Sequence, residues 1–316
     1  MAKASNTHQV EHQMKVLAPP QRVYGLIADV AEWPVVFPPT VHVEHVQRDD
    51  SDERIRIWAT ANGEVKTWTS HRWLDPAALR VEFRQEVSQP PVAAMRGTWI
   101  VEPLSATECT VRLLHNYQAV DDNPDHLAWI ANAVDRNSGF ELDALRATAE
   151  LGDEQDRLVL SFDDTLRISG DVVDVYDFLY DGARWSERLP HVSRVSLKES
   201  APNIQLLEMD TRTKDGSEHT TTSVRVCFPT RKIVYKQITM PALMTVHTGY
   251  WQLVENAGEV TATSQHTVVI KPSAVEPVLG AGKTIEDARE CVRNALSANS
   301  LATLNHAKTF AEWRPR

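Results

Sequence analysis

The chain has 316 residues, of which 42% are hydrophobic and 24% charged, and its formal net charge is −10. That length is natural for two domains of about 150 residues each, and the acidic balance argues against a nucleic-acid surface. No apolar run approaches the ~20 residues that span a bilayer, and Met1 to Gln9 is polar without the apolar centre of a signal peptide, so no membrane is expected and the compartment is read as cytoplasmic. Cys109, Cys227 and Cys291 are scattered, with neither CxxC nor disulfide spacing. There is no Walker loop, GxGxxG, GxSxG or HExxH.

Val10, Met14 and Val16 open a first strand. Pro19-Pro20 starts a short helix over Gln21 to Val30, because proline suits the first helical turn, and Trp33-Pro34 is expected to stop it. Val41, Val43 and His45 continue as a strand. Asn62-Gly63 then signals a tight hairpin, since a type I′ turn needs positive φ at both central residues. Before it, Ile55, Ile57 and Ala59 share a strand face. After it, Trp68, Ser70 and Arg72 share one face, and Val65, Thr67, Thr69, His71 and Trp73 the other. Along a cavity, the first row would supply a flat wall, a hydrogen-bond partner and a fixed positive charge. Facing water, it would be plain surface.

Leu79, Val81, Phe83, Gln85 and Val87 alternate with Arg80, Glu82, Arg84 and Glu86, a half-buried strand. Beyond Pro90-Pro91 come strands around Met95 to Val101 and over Thr110 to Ala119. On the latter, Val111, Leu113, His115 and Tyr117 share a face. Asp125 to Glu150 reads as a long helix, with Ile130, Val134, Asn137, Glu141 and Leu145 at helical spacing. That stripe is apolar except for Asn137 and Glu141. The charged stretch Leu151 to Arg157 carries a glycine and is the expected linker.

The pattern then recurs. Val172 to Trp185 resembles Arg22 to Trp33. Asp215-Gly216 stands where Asn62-Gly63 stood, and Ser223-Val-Arg225 matches Ser70-His-Arg72. Gln237 matches Gln85, Trp251 matches Trp99, and His266 matches His115, at shifts of 151 to 153 positions. In the last helix, Thr284 to Trp313, Asn299-Ser300 matches Asn137-Ser138 at a shift of 162, because Lys271 to Lys283 is a longer loop. Two copies of a short helix, antiparallel strands and one long helix define an α+β unit. A single helix laid over a curved sheet leaves room for a ligand pocket.

The helix followed by Trp-Pro, the Asn-Gly hairpin with Trp-x-Ser-x-Arg, and the tandem arrangement resemble the two-domain aromatase/cyclases of bacterial type II polyketide synthases, over almost the whole chain. The resemblance implies two tandem helix-grip (START-like) domains, 1–152 and 153–316, each a curved antiparallel sheet wrapped around a long C-terminal helix. It implies an enzyme that closes and dehydrates the first ring of a carrier-protein-tethered, ketoreduced poly-β-ketone by intramolecular aldol condensation. The implied partners are an acyl carrier protein and the ketosynthase and ketoreductase of the same synthase. No cofactor is implied. Two departures stand out: Thr40 replaces a pocket tyrosine of some single-domain relatives, and Gln85 replaces a second pocket arginine.

Carried onto this sequence, the catalytic candidates are Arg72, Ser70 and His115, and the substrate-binding candidates are Trp33, Phe37, Trp68, Gln85, Met95, Trp99, Tyr117 and Asn137. The second-domain pocket candidates are Ser223, Arg225, Gln237, Trp251, His266 and Asn299. Arg72 could stabilise an enolate or alkoxide oxygen by a charge-assisted hydrogen bond. The alternative is a structural ion pair with an inward carboxylate such as Glu141. His115 is either a satisfied core histidine or a general acid for dehydration. Asn137 and Asn299 need partners, from a ligand or from the backbone. The mixed strand parity of His42, His45, His71 and His115 makes no metal set. The first copy keeps Trp68 with Ser70 and Arg72, whereas the second has Thr221, so the first pocket is the expected catalytic one. Arg184, Arg188 and Arg194, with Arg22, are the candidate basic patch for an acidic carrier. The rival reading is a non-catalytic START-like module for hydrophobic ligands, which would need only an apolar pocket.

Overall fold

The computed structural model describes residues 7–212 and 218–313. The chain divides into two compact units, 1–155 and 156–316. In the first, the strands are β1 (His8–Val16), β2 (Thr40–Arg48), β3 (Asp52–Ala61), β4 (Glu64–Asp75), β5 (Arg80–Val87), β6 (Val92–Ser105) and β7 (Glu108–Ala119). They form one antiparallel sheet in the order β1-β7-β6-β5-β4-β3-β2. Its helices are α1 (Pro20–Ala28), α2 (Trp33–Val36) and α3 (Pro124–Leu151). A short helix α4 (Glu154–Leu158) precedes the second unit, which has α5 (Val172–Tyr180), α6 (Trp185–Arg188), α7 (Val275–Leu279) and α8 (Ile285–Glu312). Its sheet runs β8-β14-β13-β12-β11-β10-β9, the same order. These strands are β8 (Val159–Ile168), β9 (Val192–Ala201), β10 (Ile204–Arg212), β11 (Glu218–Phe228), β12 (Lys232–Thr239), β13 (Met244–Asn256) and β14 (Glu259–Ile270). The architecture is α+β, two tandem helix-grip units.

Local chemistry accounts for the boundaries. Asn62 and Gly63 have φ of 51° and 81°, and Ala61 pairs with Glu64 across the turn, as a type I′ hairpin requires. The corresponding Asp215-Gly216 lies outside the described residues. Trp33-Pro34 opens α2 instead of merely ending α1, because proline in a first turn lacks only an N–H that has no helical partner anyway. Asn123 caps α3 by accepting from the N–H groups of Asp125 and His126, and Thr284 with Asp287 forms a capping box on α8. Much of the expected linker is helical: α3 runs to Leu151, Gly152 breaks it at φ 55°, and α4 follows.

The end of the short helix is organised by a buried arginine in both units. Arg72 is 1% exposed. Its guanidinium donates to the carbonyls of Ile27 (2.8 Å) and Ala28 (3.3 Å), the last residues of α1. It rests 4.8 Å from the centre of the Trp33 ring and pairs with Glu53, its direct neighbour across β3 and β4. In the second unit Arg225 donates to Leu179 O (2.5 Å) and Tyr180 O (3.5 Å) at the end of α5, over the Trp185 ring at 5.2 Å. A cation there meets orphan carbonyls and the negative end of the helix dipole. Burial pulls the Arg72 guanidinium down to about 10, with Glu53 opposing, so it stays charged at neutral pH.

A repeated glycine makes room for one ring in each sheet. A side chain at Gly97 would sit 2.4 Å from Phe83, and one at Gly249 would sit 2.6 Å from the Tyr235 hydroxyl. These rings lie beside His115 and His266 respectively.

Breaking a buried ion pair by removing one partner costs about 3–5 kcal/mol. Arg72→Ala is therefore expected to lower the urea stability of the first unit by that amount, and Glu53→Gln by less than half of it. The second change copies Gln205, which stands opposite Arg225. Urea unfolding followed by tryptophan fluorescence measures both; equal losses would contradict the helix-end account.

Candidate active site

The first unit contains a cavity of about 130 Å³. Its walls come from the β3–β4 hairpin, the β5–β6 connection and the first half of α3. Asn62 Nδ2 donates to Trp129 O (2.9 Å), which ties the hairpin tip to α3. The Thr67 N–H donates to Gln89 Oε1 (3.1 Å), which ties the hairpin to the β5–β6 connection. Lys66, stacked 5.4 Å from the Trp129 ring centre, also lines it.

Five of the sequence candidates line this cavity: Trp68, Gln85, Met95, His115 and Asn137. Gln85 is held by Ser88, whose hydroxyl donates to its Oε1 (2.8 Å), and contacts Met95 Sδ at 3.6 Å. Asn137 takes the backbone option: its Nδ2 donates to Thr60 O (3.0 Å). His115 is 9% exposed, packs edge-on against Phe83, and has its Nδ1 buried without a partner. Burial, aided by His12, drives its imidazolium down to about 4, so the ring is neutral at pH 7. It is therefore a base or a neutral donor, and the role of a cationic general acid does not suit it.

The remaining candidates lie elsewhere. Arg72 faces inward, as strand parity requires, but its donors are taken by Glu53 and the α1 carbonyls. Its ion-pair partner is Glu53, not Glu141. Neither Arg72 nor Ser70 is among the cavity-lining residues. The reason is the length of the strand. Lys66, Thr67 and Trp68 reach the open end of the sheet, while Ser70 and Arg72 lie farther along β4. Around Arg72 the inner space is filled by α1 and α2. Trp33, Phe37 and Trp99 pack there as a cluster, with ring centres 5.5 and 6.0 Å apart. Tyr117 is buried in the cluster of Ile130 and Val134 and stacks on His8.

Sequence reasoning underused two carboxylates. Glu53 shares the parity of Ile55, Ile57 and Ala59, which marks it as an inward charge needing a partner. Glu141 was visible as a polar interruption of the α3 stripe. It lines the cavity, and burial without a compensating cation pushes its carboxyl up to about 8.

In the second unit the equivalent groups close on one another. Tyr235, His247 and Ser264 replace Phe83, Met95 and Leu113. His266 Nδ1 lies 2.7 Å from the Tyr235 hydroxyl and 3.0 Å from His247 Nε2. Its Nε2 lies 2.6 Å from Ser300 Oγ and 3.2 Å from Ser264 Oγ. Burial lowers His266 to about 4, and burial with His266 lowers His247 to about 3. Ser223 pairs in register with Gln237, whose Oε1 is buried and unpartnered. Trp251 packs in the main core of the second unit. Asn299 is exposed, because the buried stripe of α8 runs through Ser300 and Thr303. Thr303 stands at the position of Glu141, so this unit lacks the acid.

Three of the four candidate carrier-binding arginines are paired with carboxylates. Arg184 pairs with Glu187 (3.1 Å), Arg188 with Asp181 (3.2 Å), and Arg194 with Asp210 (2.6 Å) and Glu208 (2.7 Å). Arg22 donates to Gly152 O (2.6 Å). They do not form a free basic patch.

The family described as polyketide cyclase / dehydrase and lipid transport matches residues 16–138 and 168–292, once in each unit. The chain is 49% identical over 301 residues to the granaticin polyketide synthase bifunctional cyclase/dehydratase of Streptomyces virginiae, covering 94% of this chain and 97% of that one. It is 47% identical over 315 residues to the actinorhodin counterpart of Streptomyces coelicolor, covering 96% and 97%. The crystal structure of the di-domain ARO/CYC BexL from the BE-7585A biosynthetic pathway superposes with a TM-score of 0.87 at 59% identity, covering 98% of this chain and all of that one.

The chain belongs to the polyketide cyclase/dehydratase family. Cyclisation and dehydration by such an enzyme need a base for an acidic methylene, an acid for an oxygen, and a wall that excludes water. The first-unit cavity of this cyclase/dehydratase presents a neutral imidazole, a protonated carboxyl and an indole. No helix among the described residues is long and apolar enough to cross a membrane.

Glu141 has a measurable consequence for stability. Its folded-state value lies above that of a free carboxyl, so between about pH 4.5 and 8 the folded chain binds more protons than the unfolded one. Stability is therefore lost as pH rises through that window. Glu141→Gln is expected to remove this loss and to raise the melting temperature relative to wild type at pH 8.5, but not at pH 5. Scanning calorimetry at the two pH values checks it; an equal shift at both would refute the assignment.

Proposed function

We propose that the first unit closes and dehydrates the first ring of a carrier-protein-tethered, ketoreduced poly-β-ketone, with His115 as base and Glu141 as acid. The observation that carries the reading is that these two groups face one cavity with pKa values driven in opposite directions, His115 down to about 4 and Glu141 up to about 8. Pairs of titratable groups whose surroundings drive their pKa values apart are typical of acid–base sites.

The chemistry follows from the residues. A methylene between two carbonyls is already acidic, so neutral His115 suffices to remove its proton. The enolate carbon attacks a ketone farther along the folded chain, and the Glu141 carboxyl gives its proton to the new alkoxide. In dehydration the same base takes the next Cα proton, and the same acid protonates the departing hydroxyl, which leaves as water. In each step His115 gains one proton and Glu141 loses one, so a single transfer between them restores both. The Gln85 amide, restrained only by Ser88 and a weak contact to Met95, can donate to the enolate oxygen. It stands where the resemblance expects an arginine. Trp68 supplies the flat wall that holds the chain folded. Arg72 supports the site through α1 and Trp33, without touching substrate. The second unit, with Thr303 in place of Glu141 and a self-contained histidine network, acts as scaffold. Partners would be the acyl carrier protein, with the ketosynthase and ketoreductase of the synthase.

The test uses the intact chain with a reconstituted synthase. His115→Asn and Glu141→Gln are each expected to slow formation of the dehydrated first ring by roughly 10²–10⁴-fold, with linear or spontaneously cyclised shunt products accumulating. His266→Asn should leave the rate of folded enzyme within about twofold. The wild-type profile of kcat/KM should be flat between limbs near pH 4 and pH 8, set by His115 below and Glu141 above. Normal product from both first-unit variants would refute the reading.

A further inference from the structure

The two units place the same pair of side chains, one serine and one histidine, in different states. In the second unit Ser300 of α8 sits 2.6 Å from His266 Nε2. Ser138 occupies the matching position on α3, and His115 matches His266. Ser138 is 1% exposed, and its Oγ is buried without a partner. His115 has no hydrogen bond among the described residues, and its Nδ1 is also buried and unpaired. Both residues line the cavity. A buried hydroxyl and a buried imidazole left unpaired each cost about 1–3 kcal/mol, and such groups ordinarily find partners.

The difference has a visible cause. In the second unit Tyr235, His247 and Ser264 surround His266 with polar groups. In the first unit those positions are Phe83, Met95 and Leu113, none of which offers His115 a hydroxyl or a ring nitrogen. Ser138 and Glu141 of α3 line the same cavity as His115. Ser138 and Glu141 are three residues apart and therefore adjacent on one helix face.

We propose that Ser138 is a further substrate-binding residue of this site, whose hydroxyl holds the oxygen that departs in dehydration, between His115 and Glu141. This rests on the acid–base reading above and adds a residue to it. The ligand chemistry is a β-hydroxy ketone, the product of the aldol addition. Ser138 donates its O–H to the hydroxyl oxygen of the new ring, which keeps that oxygen within reach of the Glu141 proton. Ser138 forms and breaks only hydrogen bonds. The equivalent Ser300 has lost this role because His266 already occupies its hydroxyl.

The experiment compares Ser138→Ala, Ser138→Thr, His115→Asn and Ser300→Ala in the intact chain, with cyclised hydroxy product and dehydrated product measured separately. Ser138→Ala is expected to lower kcat for dehydration roughly tenfold, the effect of one ordinary hydrogen bond, with KM nearly unchanged and the cyclised hydroxy product accumulating. Ser138→Thr, which keeps a hydroxyl, should recover most of the rate. Ser300→Ala should leave the ratio of the two products as in wild type. If Ser138→Ala dehydrates at the wild-type rate while His115→Asn is slow, Ser138 has no such role and the acid–base reading survives. If both are silent, the whole assignment falls. If Ser138→Thr is as slow as Ser138→Ala while both melt at the wild-type temperature, packing and not the hydroxyl matters, which also overturns the proposal.

Discussion

A guanidinium buried at the end of a short helix is the constraint from which the rest of each unit follows. Arg72 and Arg225 are among the largest side chains sealed from solvent. Each must satisfy several donors without water, and each does so with the last carbonyls of α1 or α5 and the face of a tryptophan. This pins the short helix over one end of the sheet. The indole N–H of that tryptophan donates back to the same helix, to Ile27 O at 3.2 Å or Phe178 O at 3.1 Å. Helix end, indole and central strand thereby become one rigid group in both halves.

That group decides where a cavity can form. The inner face of a seven-stranded sheet is too long for one helix to cover evenly. Around Arg72 the space is filled by Trp33, Phe37 and Trp99. Toward the hairpin, the stretch Trp129 to Glu141 of α3 and the β5–β6 connection lie over the strands, and the cavity opens there. Closure of the same region in the second unit needs only a few side-chain exchanges. Tyr235 and His247 bring polar atoms where Phe83 and Met95 have none; both bond to His266, which in turn meets Ser300. One backbone thus carries a cavity in one copy and a hydrogen-bonded polar cluster around His266 in the other.

Most of the fold was legible in the sequence. Strand alternation, the Asn-Gly turn and the repeat located the sheets and both long helices, because each depends on local periodicity. The inward orientation of Trp68, Ser70 and Arg72 was legible for the same reason. Which stretch of that inward row meets open space was not, since it depends on where α1 and α2 come to rest. Parity says which face a side chain takes, not what lies opposite. The partner of Arg72 was within reach of the same rule, applied one strand earlier to Glu53. Asn299 shows the opposite error: a repeat aligned by residue type carried over a side chain whose helix face differs, and one position along α8 separates exposed Asn299 from buried Ser300.

The two inward carboxylates of the first unit stand in opposite settings: Glu53 is paired with Arg72, whereas Glu141 has no ion-pair partner among the described residues. Glu141 stays protonated near neutrality only because no cation compensates its burial; desolvation alone sets its shift. An unpaired arginine on the cavity wall would reverse that, since an opposite charge within about 4–6 Å lowers a carboxyl by one to three pKa units. Arg72 is not that arginine, because Glu53 and the carbonyls of α1 take its donors and it does not line the cavity. Lys66 is a cation that does line the cavity, and it is paired with Glu64 and set over the Trp129 ring. The second unit has dispensed with both halves of this arrangement together: Gln205 stands for Glu53, and Thr303 for Glu141. Arg225 is held without a carboxylate, by the helix-end carbonyls and the Trp185 ring.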